Sequence, residues 1–414
     1  MMQGVCNLNK GVRFRRESVY FRNALRLLVG AVFIFSGAVK GIDPTGTVYK
    51  FQDYFVAMGL LSLTPASGVL TLLFNTVEFA LGVSLVANWK TKYTLWPALF
   101  FMLIFTPLTF WLAKTNAVPD CGCFGDAIKL NNRTTFYKNI ILLGMVLYLI
   151  ADRRRFRNRL RDRMQWAGIV MAVVFGFGWQ IYTLLYLPVL DFRPWKVGNY
   201  IPAKMEDVPP KVDYTFIYRR ISDGVICNFN MNQVSGLSTA DYDYVDRKEH
   251  IISPGKPAEI QDFSALDNTG FDNGLDLVMN PQFQFLVLSP NLAEADPDVM
   301  KKVAEFGRNS LAAQTYIAFI TVKNAETDAL VKRYGLTMPV YYGDEIALKI
   351  PVRANPGVLL LKDGYVLDKW NARVLPAFSE VKRHFKDYDA RLQSYRRAEE
   401  QRRQQQDREE KGEE

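Results

Sequence analysis

The residues with the clearest chemical potential are two cysteines one position apart, in Asp120-Cys121-Gly122-Cys123-Phe124-Gly125. Thiols this close either join as a disulfide or act as a redox couple that exchanges with other thiols. A ring closed over one residue is tight, and Gly122 eases it. Strained disulfides are readily reduced, which suits exchange better than stapling. Two readings compete with this one: a local clip that orders a loop, and a metal pair, for which Cys-x-Cys without a nearby histidine is a poor donor set. The chain has two histidines, His250 and His384, both distant, so no metal site is expected. Cys6 lies near the N-terminus and is expected to be a reduced cytoplasmic thiol. Cys227, in Val225-Ile226-Cys227-Asn228-Phe229-Asn230, reads as a buried free thiol in a strand or, more sharply, as a resolving partner for the pair. Four cysteines in 414 residues exclude a disulfide-stapled scaffold.

Glu78 is the second candidate, with Asn75 one turn earlier, because both fall inside an apolar run. A carboxylate at membrane depth is costly and marks a functional group by default: protonated, or paired with a basic residue of another span. A polar contact between helices competes with a proton or quinone role. Lys40 and Asp43 close the preceding span and are expected only to anchor its end.

These residues are carried by five apolar stretches, roughly 22–39, 66–88, 94–113, 135–151 and 166–190. Leu95 to Ala113 and Trp166 to Leu190 carry no charge, and a hydrocarbon core of about 30 Å needs roughly 20 such residues in a helix. The first and fourth reach spanning length if Arg22, Arg26 and Lys138 snorkel to the interface. Pro97 and Pro107 are expected to kink the third. Fifteen basic residues flank one side, including the seven arginines between Asp152 and Arg163, against six on the other. The positive-inside rule then puts the N-terminus in the cytoplasm, and the Cys121/Cys123 loop and everything after residue 190 on the opposite, oxidising side. The net charge of +9 is therefore a topology signal, and nucleic-acid binding is not expected. A cleaved signal peptide, with Ser36-Gly37-Ala38 as its site, competes for the first segment.

Beyond Pro188 the chain turns polar. Asp191-Phe192-Arg193-Pro194-Trp195 reads as an interfacial exit with Trp195 at headgroup level. Tyr214–Tyr218 and Val225–Phe229 predict a hairpin. Phe283–Leu288 and Tyr316–Val322 predict strands, Asp296–Ala312 and Ala325–Tyr334 helices, and Val358–Leu361 with Val366–Trp370 a last hairpin. Residues 381–414 are dense in Arg, Gln and Glu and predict a solvated helix fraying into a tail.

Two resemblances add to this reading. Ser36-Gly37-Ala38-Val39-Lys40-Gly41-Ile42-Asp43-Pro44-Thr45-Gly46, followed by Lys50 and Tyr54, resembles the first-helix signature of the DoxX/MauE-like membrane proteins. Glu78 with Gly82 resembles their second helix, and Cys121-Gly122-Cys123-Phe124-Gly125 the Cys-x-Cys-Phe-Gly of the methylamine utilisation protein MauE. The likeness covers about residues 20–151 and implies a helical bundle that supports disulfide formation or maturation of periplasmic proteins. A fifth span and a large following domain depart from that family. The strand and helix order, with Asn355-Pro356-Gly357-Val358-Leu359-Leu360, resembles a TlpA-type thioredoxin-like domain, in which the Pro356 position is cis. That family's Cys-x-x-Cys would fall near Ser289-Pro290-Asn291-Leu292, where no cysteine stands.

The expectation is a multi-domain protein: a DoxX/MauE-like transmembrane bundle of about five spans over 1–190, an α/β thioredoxin-like periplasmic domain with a β-hairpin extension over 191–385, and a charged, disordered tail over 386–414. Its function would be thiol–disulfide exchange or periplasmic protein maturation in the bacterial inner membrane through Cys121 and Cys123, the Cys-free domain binding the client. No resident cofactor is expected, a quinone being the candidate electron acceptor. A non-enzymatic scaffold and, on the strength of Glu78, a small-molecule transporter are the alternatives.

Overall fold

The computed structural model describes residues 3–158 and 160–411, with side chains for 19–158, 160–405 and 408; Cys6 and the first basic residues lie outside the described side chains. The N-terminal half is helical: α1 (Gln3–Ile42), α2 (Pro44–Ala57), α3 (Ser67–Val86), α4 (Thr91–Thr115), α5 (Asn132–Ala151) and α6 (Asp162–Tyr186). Five segments, Val19–Ile42, Leu61–Val86, Thr91–Thr115, Asn132–Ala151 and Asp162–Tyr186, are long and apolar enough to cross a membrane. Leu28, Leu73, Phe100 and Val174 are exposed on the outside of the bundle, as a lipid-facing surface requires. Val29, Phe33, Leu85, Leu95, Phe101 and Val146 fill its centre. α1 and α3 approach closely because Gly37 has no side chain: a Cβ there would stand 2.6 Å from the Phe79 nitrogen. α4 runs through both Pro97 and Pro107.

The arginines at the start of the first span have partners at the ends of other spans. Arg22 pairs with Asp152 at 2.8 Å. Arg26 donates to the carbonyls of Leu85 and Val86, the last turn of α3. Helix ends leave four carbonyls without partners, and a buried guanidinium satisfies two of them.

The second half begins with α7 (Pro202–Met205) and a three-stranded antiparallel sheet of β1 (Lys211–Arg220), β2 (Ile226–Asn230) and β3 (Tyr242–Ser253), in the order β2-β1-β3, with α8 (Met231–Val234) after β2. The expected hairpin is there. β3 is exposed along nearly its whole length and carries charges through its middle, so no buried face set a strand pattern in the sequence. After α9 (Gly274–Met279) come β4 (Gln284–Ser289), α10 (Pro297–Ala312), β5 (Tyr316–Thr321), α11 (Thr327–Tyr334), β6 (Val340–Tyr342), α12 (Glu345–Lys349), β7 (Gly357–Lys362), β8 (Tyr365–Asn371), α13 (Phe378–Arg383) and α14 (Phe385–Lys411).

The five-stranded sheet runs β6-β5-β4-β7-β8, with β4, β5 and β6 parallel and β7 and β8 antiparallel to their neighbours. This is the thioredoxin-like order, extended by the short edge strand β6, which three residues were too few to reveal. Alternation along each strand splits the core in two. Phe285, Val287, Phe319 and Leu360 face α10 and α13, while Leu286, Leu288, Ile320 and Leu359 face the other layer. Asp296 starts α10 by accepting from the Asp298 amide at 3.0 Å, with Pro297 at its first position.

Two expectations are corrected here. Trp195 is not at a headgroup boundary: it is buried in the α/β core, 4.8 Å from the Phe263 ring, because the chain leaving α6 tucks directly under the sheet. The segment expected to be a disordered tail from 386 is helical through Lys411. Its first turns are anchored, with Tyr388 and Leu392 buried in the core, the Tyr388 hydroxyl donating to Asp368 at 2.6 Å and Lys362 paired with Asp389.

The two halves touch. Asn371 donates to the Leu184 carbonyl at 3.0 Å, tying β8 to the end of α6. Arg353, on the segment leading into β7, reaches Asp43 at 2.9 Å and Asp126 at 3.2 Å.

Candidate functional site

The Cys121/Cys123 loop joins α4 to α5 and is fixed at both ends by helix caps. Asn116 ends α4 in the left-handed region, and the Asn131 side chain accepts from the Thr134 amide at 2.7 Å to start α5. Asn132, on the first turn of α5, donates to the Val118 carbonyl at 2.9 Å. Within the loop the Asp120 carboxylate accepts from the Gly122 amide at 2.9 Å, a turn that carries Gly122 to a φ of +61°. Gly122 therefore both turns the chain and brings the two cysteines together. Their sulfur atoms lie 2.8 Å apart, and both are free thiols in the structure.

Neighbouring helices hold the backbone of each cysteine. The Tyr54 hydroxyl on α2 donates to the Cys121 carbonyl at 2.5 Å, and the Ser36 hydroxyl on α1 donates to the Cys123 carbonyl at 2.6 Å. Cys121, only 8% exposed, packs with Tyr54, Leu112 and Val118.

The environment separates the two sulfurs electronically. Once Cys121 ionises, the Cys123 thiol can donate to it, and this hydrogen bond holds Cys121 down to about 6, helped by the Thr135 hydroxyl, the Cys123 amide and the Lys138 charge against the opposing pull of burial. Cys123 is pushed the other way, because it donates that hydrogen bond, is buried and faces the Cys121 thiolate. Near neutral pH the pair is thus one thiolate, Cys121, and one thiol, Cys123. A thiolate is the nucleophile in disulfide exchange, and a protonated neighbour is what a resolving cysteine is before its turn.

Beneath Cys123 a cavity of about 30 Å³ is lined by Ser36, Lys40, Glu78, Lys138 and Asn139 together with aromatic and aliphatic side chains. Lys40 does more than anchor the end of its helix: its ammonium lies 2.8 Å from a Glu78 carboxylate oxygen, both groups largely buried. Glu78 on α3 is about two turns from the Val86 end of the helix, and Lys40 on α1 is the cation placed opposite it. Asn75 donates to the Lys40 carbonyl at 3.4 Å and to Gln180 on α6 at 3.2 Å, joining three helices. Lys138 stands over the Phe124 ring at 4.2 Å. Lys40 and Lys138 therefore flank the thiol pair from α1 and α5.

Asp43 also does more than close a helix. It caps α2 by accepting from the Gly46 amide at 2.9 Å and receives Arg353 from the α/β half. Arg353 further donates to the Lys349 carbonyl and lies over the Tyr49 ring. The Asn355–Pro356 peptide bond is cis. Where a Cys-x-x-Cys would stand, Ser289 donates to Asn355 at 2.8 Å and Asn355 to the Asn291 carbonyl at 2.6 Å. Cys227 is half-buried on β2, with Arg220 and the Val225 carbonyl about its sulfur, in the separate three-stranded sheet. Among the described residues no cluster of three or more His, Cys, Asp or Glu gathers as a metal site.

Reading the sequence singled out Cys121, Cys123, Glu78, Asn75 and Pro356, and the structure places Cys123 and Glu78 on one small cavity, with Cys121 against Cys123. It missed the roles of Ser36, Tyr54, Lys40 and Arg353. Ser36, Tyr54 and Lys40 stand in the signature quoted for the first helix, so the signal was present as a pattern but not as chemistry. Arg353 is 310 residues from Asp43 and carried none.

One comparison gives bounds within the helical half. Residues 18–152 match the family model of methylamine utilisation protein MauE, which covers the first four spans and the cysteine loop. The fifth span and the α/β half lie outside the match. No curated protein matches the chain. Among solved structures, the crystal structure of peroxidoxin BcpB from Mycobacterium tuberculosis is similar over 33% of this chain and 94% of that one, at 15% identity and a TM-score of 0.23.

Proposed function

We propose that this protein is a membrane thiol–disulfide exchange factor that acts on proteins outside the cytoplasm, with Cys121 as the attacking sulfur and Cys123 as the resolving one. The observation that carries the reading is the contact of two free sulfurs, 2.8 Å apart, in a loop clamped by Tyr54 and Ser36. The Cys121 thiolate attacks a client disulfide, forms a mixed disulfide and releases one client sulfur as a thiolate that takes up a proton. Cys123 then loses its proton, attacks the Cys121 sulfur and releases the second client thiolate. Two electrons pass from the pair to the client and a Cys121–Cys123 disulfide forms; the reverse sequence oxidises a client dithiol.

Lys40 and Lys138 favour each transient thiolate, and the Lys40–Glu78 pair keeps a charge in the cavity without leaving it uncompensated. The basic flanks support an orientation with the N-terminus in the cytoplasm and the loop and α/β half in the periplasm, the bacterial inner membrane being the site. The α/β half has no thiols of its own at the usual place and acts as a client-binding surface. The family description makes methylamine-utilisation proteins one class of client.

The test is a trap. In full-length protein, Cys123→Ser should accumulate a mixed disulfide through Cys121 with a disulfide-bearing client, and Cys121→Ser should accumulate none. A pair of variants that both leave client redox state unchanged would remove this function and leave the membrane scaffold, in which the thiols merely order a loop. A reporter placed after α6 should read out on the non-cytoplasmic side.

A further inference from the structure

Between the two halves lies an open cleft of about 620 Å³ that neither half forms alone. One wall is α2, with Asp53 and Val56; the other is α12 and the turn after it, with Ile346 and Arg353; the end is Val118 and Asp120. Val56 and Ile346 are 58% and 72% exposed, so each wall presents a bare aliphatic side chain. The charged groups around them, Lys129 and Lys349 against Asp53 and Asp126, have no single sign.

The cleft ends beside the thiols. Val118 packs on Cys121, and Asp120 precedes it in the chain. Lys50 closes the passage: its ammonium meets Asp120 at 3.1 Å, and its methylenes lie where a Cβ on Gly122 would be, at 3.0 Å. Both partners of that ion pair are more than a quarter exposed, at 29% and 28%. A pair this open to solvent is screened, and it costs less to part than the buried Lys40–Glu78 pair.

We propose that the cleft receives an extended, aliphatic polypeptide segment of the client, laid between α2 and α12 so that its sulfur meets Cys121 when Lys50 and Asp120 part. The inference rests on the thiol-exchange reading and adds the substrate class and the surface that selects it. Three observations favour a polypeptide over a small thiol. The open cleft of about 620 Å³ has room for several side chains, whereas the cavity at the thiols themselves, about 30 Å³, has room for little more than a water. The walls are aliphatic where side chains would rest, and the rim offers both charges to a neutral backbone. The cleft also ends at Val118 and Asp120, the residue that packs on Cys121 and the residue that precedes it. A Cys-free α/β half then has a purpose: it supplies the second wall and, through Arg353 on Asp43 and Asp126, holds it at a fixed distance from the loop.

The test fills the cleft from either wall with Val56→Trp and Ile346→Trp in full-length protein in lipid nanodiscs. Two probes report attack by Cys121 through release of the same coloured thiol. One is Ellman's reagent, and the other is a short aliphatic peptide whose single cysteine carries that thiol as a mixed disulfide. The ratio of peptide rate to Ellman rate should fall about tenfold in each variant. A ratio that does not move in either variant overturns the cleft as the client site and leaves thiol exchange standing. An equal loss with both probes also overturns it, because the bulk then disturbs the thiols and not the client. If neither probe reacts at Cys121 in the unmodified protein, the exchange reading itself fails and this inference falls with it.

Discussion

The acidity of Cys121 is the most exposed point of this account, and it depends on one neighbour. The Cys123 thiol donating to Cys121 is the largest influence holding it down to about 6. At pH 7 such a thiol is about 90% ionised, while one at an ordinary value of about 8.5 is about 3% ionised. The roughly 30-fold gain in thiolate is mostly offset, because nucleophilicity falls with basicity at a Brønsted slope of about 0.4–0.5, which costs about 10- to 20-fold over that shift. Rates at pH 7 would therefore differ only about two- or threefold, and a single-pH comparison would mislead. At pH 6 the thiolate ratio exceeds about 100 and the net advantage grows to about tenfold. The informative measurement is the pH profile of Cys121 alkylation, read by mass spectrometry on the peptide carrying it, in a Cys227→Ser background. Burial slows the absolute rate at every pH and leaves the midpoint in place. Cys123→Ala removes the donor and should move the midpoint up by more than one unit, towards the ordinary value. Cys123→Ser keeps a donor at the same place and should stay closer to the unmodified protein. An unmodified midpoint at or above about 8, or the same midpoint for the Ala and Ser variants, would refute the hydrogen bond as the cause.

Three further outcomes follow from the same contacts. Glu78→Ala leaves the Lys40 ammonium buried without its partner and should cost about 3–5 kcal/mol, measured by thermal unfolding in detergent. The double variant Lys40→Met, Glu78→Leu should recover most of that loss. Arg353→Met removes the contacts to both Asp43 and Asp126 and should speed limited proteolysis of the 187–201 connection, with Asp43→Asn having the smaller effect. Ending the chain after Arg383 strips Tyr388 and Leu392 from the core and should lower the unfolding temperature of the α/β half, while ending it after Arg403 should leave that temperature unchanged.

The contrast between Trp195 and the five spans shows where reading a sequence reaches and where it stops. Spans are written in uninterrupted apolar composition, a local property, and all five were legible with boundaries close to those observed. The strands β4, β5, β7 and β8 were legible as short apolar runs, and helices α10 and α11 from apolar residues recurring at helical spacing. Trp195 was read from its own neighbourhood as an interfacial residue, and only the path of the chain under the sheet sent it to the core instead. The tail was read from its charges, which remain solvent-facing along most of α14, but Tyr388 and Leu392, set four residues apart among them, were enough to dock its first turns.

For the site, the chain order alone determined that two thiols sit either side of a glycine between two membrane helices, and that a carboxylate lies at depth in another. Residue type and spacing specify those facts because they are covalent or nearly so. Which sulfur ionises, which cation meets Glu78, and which residue of a distant domain closes on Asp43 were decided by folding. Each depends on a donor or charge brought within about 3 Å from another helix, and one-dimensional order holds no record of such distances until tertiary packing creates them.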